Sequence, residues 1–167
     1  MIYHTNLNTP IGILGLVSNG ASLLRIFLSN ENISVSTLKQ KYPNKDITKD
    51  KLEFKETIEQ LTEYFDGKRK VFNIKTKLEI SPFYKKALLE VAKVPYGETS
   101  SYSKIAHRLN NPKATRAVGS ANARNPLPII IPCHRIIAKN GKLGGYAGGL
   151  KMKKYLINFE RENVNLD

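Results

Sequence analysis

The chain has 167 residues, of which 41% are hydrophobic, and 27 basic against 14 acidic side chains give a formal net charge of +13. This length allows one domain or two small ones, and no apolar run approaches the 18 residues of a membrane span. With no secretory signal pattern, a single cysteine and no cluster of cysteines and histidines, we expect a cytoplasmic protein with neither a disulfide nor a metal site.

The first half of the chain is predicted to be a small α+β unit. Alternating apolar residues predict strands, and apolar residues at helical spacing with a closing glycine predict a helix. The predicted strands cover residues 2–7, 11–18, 23–28 and 72–78, and the predicted helix covers residues 51–66. The polar residues 30–50 are expected to form a loop with at most short structure.

The second half is predicted to be mainly helical. Ser81 and Pro82 are typical of a helix start, and Asn110-Asn111-Pro112 separates two further short helices, the later one at about 113–123. Two short helices joined by a tight polar turn indicate a helix-turn-helix. The predicted fold class is therefore α+β, with a supporting domain at 1–78 and a functional domain at 79–167.

The excess of positive charge lies in the second half. Residues 1–80 carry 12 basic and 9 acidic side chains, whereas residues 81–167 carry 15 and 5. Such a basic half favours nucleic acid or another polyanion as partner, although a lysine-rich surface alone would look the same. The middle of the third helix, 117–121, is small and nearly featureless, so it suits close approach to a groove better than reading of base edges. Close helix packing is the alternative.

The most unusual stretch is 129–137, which contains the only cysteine. Its β-branched residues predict a buried strand, interrupted by Pro132-Cys133-His134-Arg135. A lone buried cysteine is usually a small hydrophobe, but an adjacent imidazole and guanidinium favour a thiolate nucleophile. Neighbours on a regular strand point to opposite faces, so a direct Cys133–His134 pair would need a kinked backbone, or else a water would carry the proton.

Together with several other motifs, Pro132-Cys133-His134-Arg135 resembles the active-site signature of the O6-alkylguanine-DNA alkyltransferases (methylated-DNA–protein-cysteine methyltransferases). The resemblance covers about residues 80 to 162. The further motifs, in the order and spacing of that family, are Val94-Pro95-Tyr96-Gly97-Glu98, Ser101-Tyr102, Asn111-Pro112-Lys113-Ala114, Arg116-Ala117-Val118-Gly119, Asn125-Pro126, Gly144-Gly145-Tyr146 and Gly148-Gly149-Leu150.

The resemblance implies four catalytic roles. Cys133 is the thiolate that takes the alkyl group, and His134 removes its proton through a water. Glu160 orients and polarises His134, and Asn125 braces the cysteine loop. The resulting thioether is not reversed, so each molecule acts once and needs no cofactor.

The resemblance also implies how the lesion is bound after the base is flipped out of the duplex. Tyr102 crowds the 3′ phosphate and donates to the base, and Arg116 fills the vacated space. The carbonyls of Cys133 and Ile136 accept from the guanine amino group. Tyr146 and Ala147 lie in the pocket wall, where many relatives carry Ser in place of Ala147, which leaves the preferred alkyl group open.

The implied partner is double-stranded DNA containing O6-alkylguanine, and O4-alkylthymine is a second candidate substrate. The protein is expected to be a monomer. The residues expected at the DNA are Ser101, Ala117, Gly119, Ser120, Ala121, Arg124 and Arg135. Two alternatives remain. The first is a non-catalytic lesion-binding module, which Cys133 argues against. The second is a helix-turn-helix regulator with a structural cysteine, which the smooth third helix argues against.

Overall fold

A computed structural model describes residues 1–31 and 33–166. The chain divides into two compact units, Met1–Leu78 and Glu79–Asp167. Within the described residues, no helix has both the length and the apolar character needed to cross a membrane.

The first unit is built on a four-stranded sheet. The strands are β1 (Ile2–Thr9), β2 (Gly12–Ser18), β3 (Leu23–Phe27) and β4 (Ile47–Lys49). Their order is β3-β2-β1-β4; β1 and β4 run parallel, and the other neighbours are antiparallel. Gly12 and Gly20 adopt positive φ at the two hairpin turns, which residues with a side chain rarely tolerate. The three predicted hairpin strands are thus confirmed.

Among the described residues, two α-helices and a 3₁₀ turn at Leu52–Phe54 complete this unit, and here the sequence predictions were partly wrong. Helix α2 (Lys55–Phe65) was expected, but α1 (Val35–Lys41) and β4 lie in the segment predicted as a loop. Helix α1 buries only Leu38, so it carries no apolar stripe that a sequence pattern could reveal. The predicted strand at 72–78 is absent, because this segment makes only a single bridge, between Leu23 and Thr76.

The second unit is mainly helical. Its helices are α3 (Pro82–Val91), α4 (Tyr102–Arg108), α5 (Thr115–Ala123) and α6 (Leu150–Asn163), and its two short strands are β5 (Ser100–Ser101) and β6 (Ile136–Ile137). Ser81 caps α3, with Pro82 in its first turn. Helices α4 and α5 pack on each other and on α3, as expected for a helix-turn-helix. The α+β fold class is confirmed.

The predicted strand through the cysteine is wrong in most of its length. Cys133–Arg135 form one turn of 3₁₀ helix, and only Ile136–Ile137 form a strand, paired in parallel with β5. Pro132 cannot donate to a strand ladder, and Ile129 has a φ of 75°, which is rare for a β-branched residue. The chain therefore bends before Cys133, and the pairing of β5 with β6 brings this bend close to the start of α4.

Candidate active site

Cys133 lies at the start of the 3₁₀ turn and is 2% exposed. Two asparagines hold the surrounding backbone. Asn122 donates from Nδ2 to the Cys133 carbonyl at 3.0 Å, and Asn125 donates from Nδ2 to the Ile131 carbonyl at 2.8 Å. The Asn125 side chain also accepts from the Leu127 N–H at 2.9 Å. The cysteine loop is thus fixed by side chains rather than by a strand ladder.

Burial dominates the acidity of the Cys133 thiol. It raises the pKa to about 11, although a hydrogen bond from Asn125 and the positive charge of Lys153 act in the opposite direction. A thiol with this pKa is protonated at neutral pH, and only the thiolate is a strong nucleophile. Nucleophilic chemistry at Cys133 therefore requires a base.

His134 and Glu160 form a buried pair beside it. The distance from His134 Nε2 to Glu160 Oε1 is 2.7 Å. Burial opposes ionisation of Glu160, but hydrogen bonds and charge from His134 and Arg135 outweigh it and bring the pKa of the carboxyl to about 2. Burial lowers the pKa of His134 below its usual value, and Glu160 only partly offsets this. At pH 7 a neutral imidazole therefore faces a carboxylate.

This pairing determines the tautomer of His134. The carboxylate of Glu160 can only accept, so Nε2 carries the proton and Nδ1 carries a lone pair. Nδ1 is buried and has no hydrogen-bond partner within the part of the chain that the structure describes. It is thus an available proton acceptor, and it makes no direct hydrogen bond to the Cys133 sulfur.

Arg135 is a correction to the sequence analysis, which placed it at the DNA. Its side chain is buried, with Nε 2.8 Å and Nη2 3.0 Å from the Glu160 carboxylate oxygens. Nη1 donates to the Val94 carbonyl at 2.7 Å. All three nitrogens are occupied inside the protein, so the guanidinium cannot reach a phosphate without breaking its hydrogen bonds to Glu160 and to the Val94 carbonyl. Arg135 instead helps to keep Glu160 ionised.

Lys153 is a site residue that was not among those selected from the sequence. It is fully buried, and Nζ donates to the carbonyls of Ile136 at 2.5 Å and Gly145 at 3.1 Å. Burial lowers its pKa to about 8, partly offset by the Cys133 charge. A signal for this existed, because Lys153, Leu156, Ile157 and Glu160 follow the helical spacing i, i+3, i+4, i+7.

A cavity of about 420 Å³ opens beside these groups. The size is within the range of small-ligand sites. Four of the predicted substrate-binding residues line it, together with a glycine of α5 and an asparagine that the sequence analysis had not selected. The lining includes Tyr102, Arg116, Gly119, Asn122, Tyr146 and Ala147. The structure thus brings these predicted residues together.

Tyr102 lines the cavity and interacts electrostatically with Cys133. Burial raises its pKa, the charge of Cys133 adds to this effect, and a hydrogen bond with Asn122 lowers it. Its hydroxyl lies 3.4 Å from both Lys153 Nζ and the Gly145 carbonyl oxygen. The fifth predicted substrate residue, Ile136, has its carbonyl engaged by Lys153. The phenol, the lysine and the thiol therefore form one electrostatically coupled group.

The predicted DNA-facing residues divide into two sets. Arg124 is exposed, and Ala117, Gly119 and Ser120 are partly exposed. Arg124 also donates from Nη1 to the Tyr84 hydroxyl at 2.7 Å. Two predictions need correction. Ala121 is completely buried, and the largely buried Ser101 uses its hydroxyl to cap α4 by accepting from the Lys104 N–H. Neither side chain is available to a phosphate.

Comparison with known proteins identifies the family. The DNA-binding domain of 6-O-methylguanine DNA methyltransferase matches residues 82–162, and the ribonuclease-like domain of the same family matches residues 2–78. The chain belongs to this family.

Relatives and solved structures agree over the full length. The methylated-DNA–protein-cysteine methyltransferase of Methanosarcina mazei is 43% identical over 98% of this chain and 99% of its own. The constitutive Bacillus subtilis enzyme of that name is 41% identical over 96% of each chain. The crystal structure of Mycobacterium tuberculosis O6-methylguanine methyltransferase has a TM-score of 0.88, with 34% identity over 100% of this chain and 97% of that chain. A second Mycobacterium tuberculosis structure, in complex with DNA, has a TM-score of 0.86, with 34% identity over 96% of this chain and 94% of that chain.

Proposed function

We propose that this protein repairs DNA by transferring the alkyl group of O6-alkylguanine in the duplex to Cys133, once per molecule. The named activity of the full-length relatives supports the reaction, and the Mycobacterium tuberculosis complex supports DNA as the partner. The observation that carries the proposal is the His134–Glu160 pair, which leaves an open imidazole nitrogen in the same buried turn as a protonated thiol.

The reaction begins with removal of the thiol proton. His134 takes this proton at Nδ1 through a water, while its Nε2–H keeps its hydrogen bond to the Glu160 carboxylate. The Cys133 sulfur then attacks the alkyl carbon, the carbon–O6 bond breaks, and its electron pair stays with the guanine oxygen. The buried charge of Lys153 stabilises the thiolate that forms, because a cation lowers the pKa of a nearby thiol.

The departing guanine needs a hydrogen-bond donor or proton. Tyr102 is suited to this role, since its hydroxyl reaches the cavity and is coupled to Cys133 and Lys153. The guanine stays in the DNA without its alkyl group, and Cys133 becomes a thioether. The protein is consumed, and no cofactor takes part.

The DNA lies along α5 in this proposal. Its small residues Ala117, Gly119 and Ser120 allow close approach to a groove, and the exposed Arg116 enters the base stack where the damaged nucleotide has left. Arg124 contacts the backbone, and Tyr146 and Ala147 enclose the flipped base. Flipping costs a few kcal/mol and is cheapest for a damaged pair. We expect a monomer in the cytoplasm, and O4-alkylthymine is a second candidate substrate.

The test is the intact mass of the protein after incubation with a duplex containing O6-methylguanine, followed by peptide mapping. We expect one added methyl group on Cys133, saturating at one per protein. The variant Cys133→Ala should keep DNA binding and abolish transfer. If Cys133→Ala still takes up methyl groups, the mechanism is wrong. Tight lesion binding without any mass change would instead identify a lesion sensor, and sequence-specific binding to undamaged DNA a regulator.

A further inference from the structure

Tyr84 and Arg124 form a polar pair that joins α3 to the end of α5. Arg124 donates from Nη1 to the Tyr84 hydroxyl at 2.7 Å, and its guanidinium carbon lies 5.8 Å from the centre of the Tyr84 ring. Cation–π attraction extends to about 6 Å, so the hydrogen bond is the stronger of the two contacts. Neither residue lines the cavity beside Tyr102, so the pair needs a separate explanation.

The backbone on both sides of Arg124 is fixed. Arg124 follows the last residue of α5, and its N–H donates to the Ser120 carbonyl at 3.2 Å. The next residue, Asn125, is held at the cysteine loop through its hydrogen bond to the Ile131 carbonyl. Because the backbone is fixed and Nη1 is bound to Tyr84, the guanidinium has little freedom to move.

The positive charge of Arg124 has no counter-ion in the described part of the chain. Its side chain makes no ion pair with a carboxylate there, and its hydrogen-bond acceptor is the Tyr84 hydroxyl. The side chain is exposed, and a guanidinium has several N–H donors, so most of its donors remain for another acceptor. A planar array of donors on one cation suits the oxygens of a phosphate.

The position of Arg124 on α5 suits a contact with the backbone away from the lesion. Ser120, four residues earlier, lies on the same side of the helix, because residues spaced by four share a face. Arg116 lies eight positions before Arg124, which corresponds to a rise of about 12 Å. One base pair of DNA rises only about 3.4 Å. A phosphate bound at Arg124 therefore belongs to a nucleotide other than the damaged one.

An arginine that is already held in place loses less conformational freedom on binding than a freely moving one. We propose, on the basis of the function proposed above, that Tyr84 is a positioning residue for DNA binding. It holds the Arg124 guanidinium in place, and the guanidinium binds a backbone phosphate outside the damaged nucleotide. A phosphate contact carries no sequence information, so it strengthens binding to damaged and undamaged DNA alike.

The experiment measures the affinity of the whole protein for an undamaged duplex at several salt concentrations. We expect Arg124→Ala to weaken binding about five- to tenfold at about 0.1 M salt and to reduce the slope of log affinity against log salt by about one, as for one lost phosphate contact. Tyr84→Phe keeps the charge, so the slope should stay at its wild-type value while affinity falls about two- to fivefold. Tyr155→Phe, which changes an exposed tyrosine of α6, should bind as the wild type does.

The double variant separates positioning from a direct or purely structural role of Tyr84. If Tyr84 acts through Arg124, Tyr84→Phe should have less than about a twofold effect once Arg124 is replaced by Ala. An equal loss in both backgrounds, or no loss in the wild-type background, would overturn the inference, and so would an unchanged salt slope in Arg124→Ala. Tyr84→Leu also removes the ring, so it should weaken binding at least as much as Tyr84→Phe, with the wild-type slope.

Failure of the inference can be told apart from failure of the proposed function. Binding to undamaged DNA needs no chemistry at Cys133, whereas methyl uptake from a duplex containing O6-methylguanine tests the transfer itself. If the wild-type protein takes up no methyl group, the proposed function is wrong whatever Tyr84 does. If it takes up methyl groups but the changes at Tyr84 and Arg124 weaken binding independently, the function stands and the positioning role of Tyr84 is refuted.

Discussion

His134 Nε2 and Glu160 Oε1 lie 2.7 Å apart, and both side chains are almost completely shielded from solvent. Replacing Glu160 by Gln removes the charge that fixes the imidazole and leaves Arg135 buried without its counter-ion. We expect transfer to slow by about a hundredfold, as for loss of general-base function, and stability to fall by about 3 kcal/mol. Single-turnover rates and urea unfolding measure the two effects. Glu162→Gln, on the exposed side of α6, is the control, and an equal effect of both variants would contradict the assigned role.

The pH dependence of transfer should be determined by the ionisation of His134 in its pair with Glu160. Transfer needs neutral His134, and burial lowers its pKa, so the rate should hold as the pH falls to 6.5 and decline only below it. The thiol ionises unaided only near its raised pKa of about 11, so its own ionisation should not raise the rate between pH 7 and 9, and the rate should decline there as Lys153 loses its proton near its pKa of about 8. In His134→Gln the rate should instead rise with pH over this range, whereas His107→Gln should resemble the wild type. A flat profile in His134→Gln would exclude His134 as the base.

Lys153 should make stability depend on pH. Its pKa is about 8 in the folded protein and 10.5 in the unfolded chain, so between these values the unfolded chain binds more protons and stability rises with pH. The increase from pH 7 to 9 should be about 1 to 2 kcal/mol, at 1.4 kcal/mol per pH unit above the folded pKa. Above pH 9 the raised pKa of Cys133 lowers stability as the pH rises, because the thiol loses its proton in the unfolded chain before it does so in the folded protein.

Urea unfolding at pH 7, 8 and 9 measures the rise in stability with pH, and this rise should disappear in Lys153→Met. The neighbouring Lys154 is exposed, so Lys154→Met should retain the rise in stability. A rise that persists in Lys153→Met would assign the effect to another group.

Gly144 supports the position of the Tyr102 phenol. Gly144 has a φ of +68°, and a Cβ atom there would lie 2.9 Å from the Tyr102 hydroxyl oxygen. Gly144→Ala should therefore displace Tyr102 and slow transfer about tenfold or more, in addition to a backbone cost of about 1 kcal/mol. Gly141 has a φ of +80° with nothing within 4 Å of such a Cβ. Gly141→Ala should share the loss of stability but keep the rate, and a slow Gly141→Ala would point to loop strain instead of Tyr102.

Arg116 should matter only when the base must leave a stack. We expect Arg116→Ala to slow transfer from duplex DNA by about ten- to a hundredfold, in line with an unstacking cost of a few kcal/mol, and to change transfer from single-stranded DNA much less. Arg108→Ala, an exposed arginine of α4, controls for lost positive charge. Equal losses on both forms of DNA would assign Arg116 a purely electrostatic role.

Much of the fold was accessible from sequence. The hairpin strands have alternating residues and turn glycines, and α3 has a serine cap followed by proline. Helix α1 was missed because a single buried leucine gives no periodic signal, and the strand predicted at 72–78 failed because only Thr76 bridges a neighbour. Short elements held by tertiary contacts leave little trace in local sequence.

Residue type alone misled the prediction at three site positions. Arg135 and Lys153 are long, basic and normally exposed, yet each is buried because acceptors surround it: the Glu160 carboxylate for one and the Ile136 and Gly145 carbonyls for the other. Asn122 lies in α5, for which the small residues predicted a role only for the outer face. Its side chain donates to the carbonyl of Cys133, and the two are close because Cys133 lies in a 3₁₀ turn, where the β-branched residues had predicted a strand.

Arg116 and Asn122 project from different sides of helix α5. Asn122 lies six positions after Arg116, which corresponds to a rise of about 9 Å and a separation of about 120° around the axis. A one-residue insertion between them would turn Asn122 by about 100°, away from the Cys133 carbonyl, if Arg116 kept its direction. This segment should therefore accept many changes of side chain on its outer face and no change of length, so its tolerance to insertion and its tolerance to substitution are governed by separate constraints.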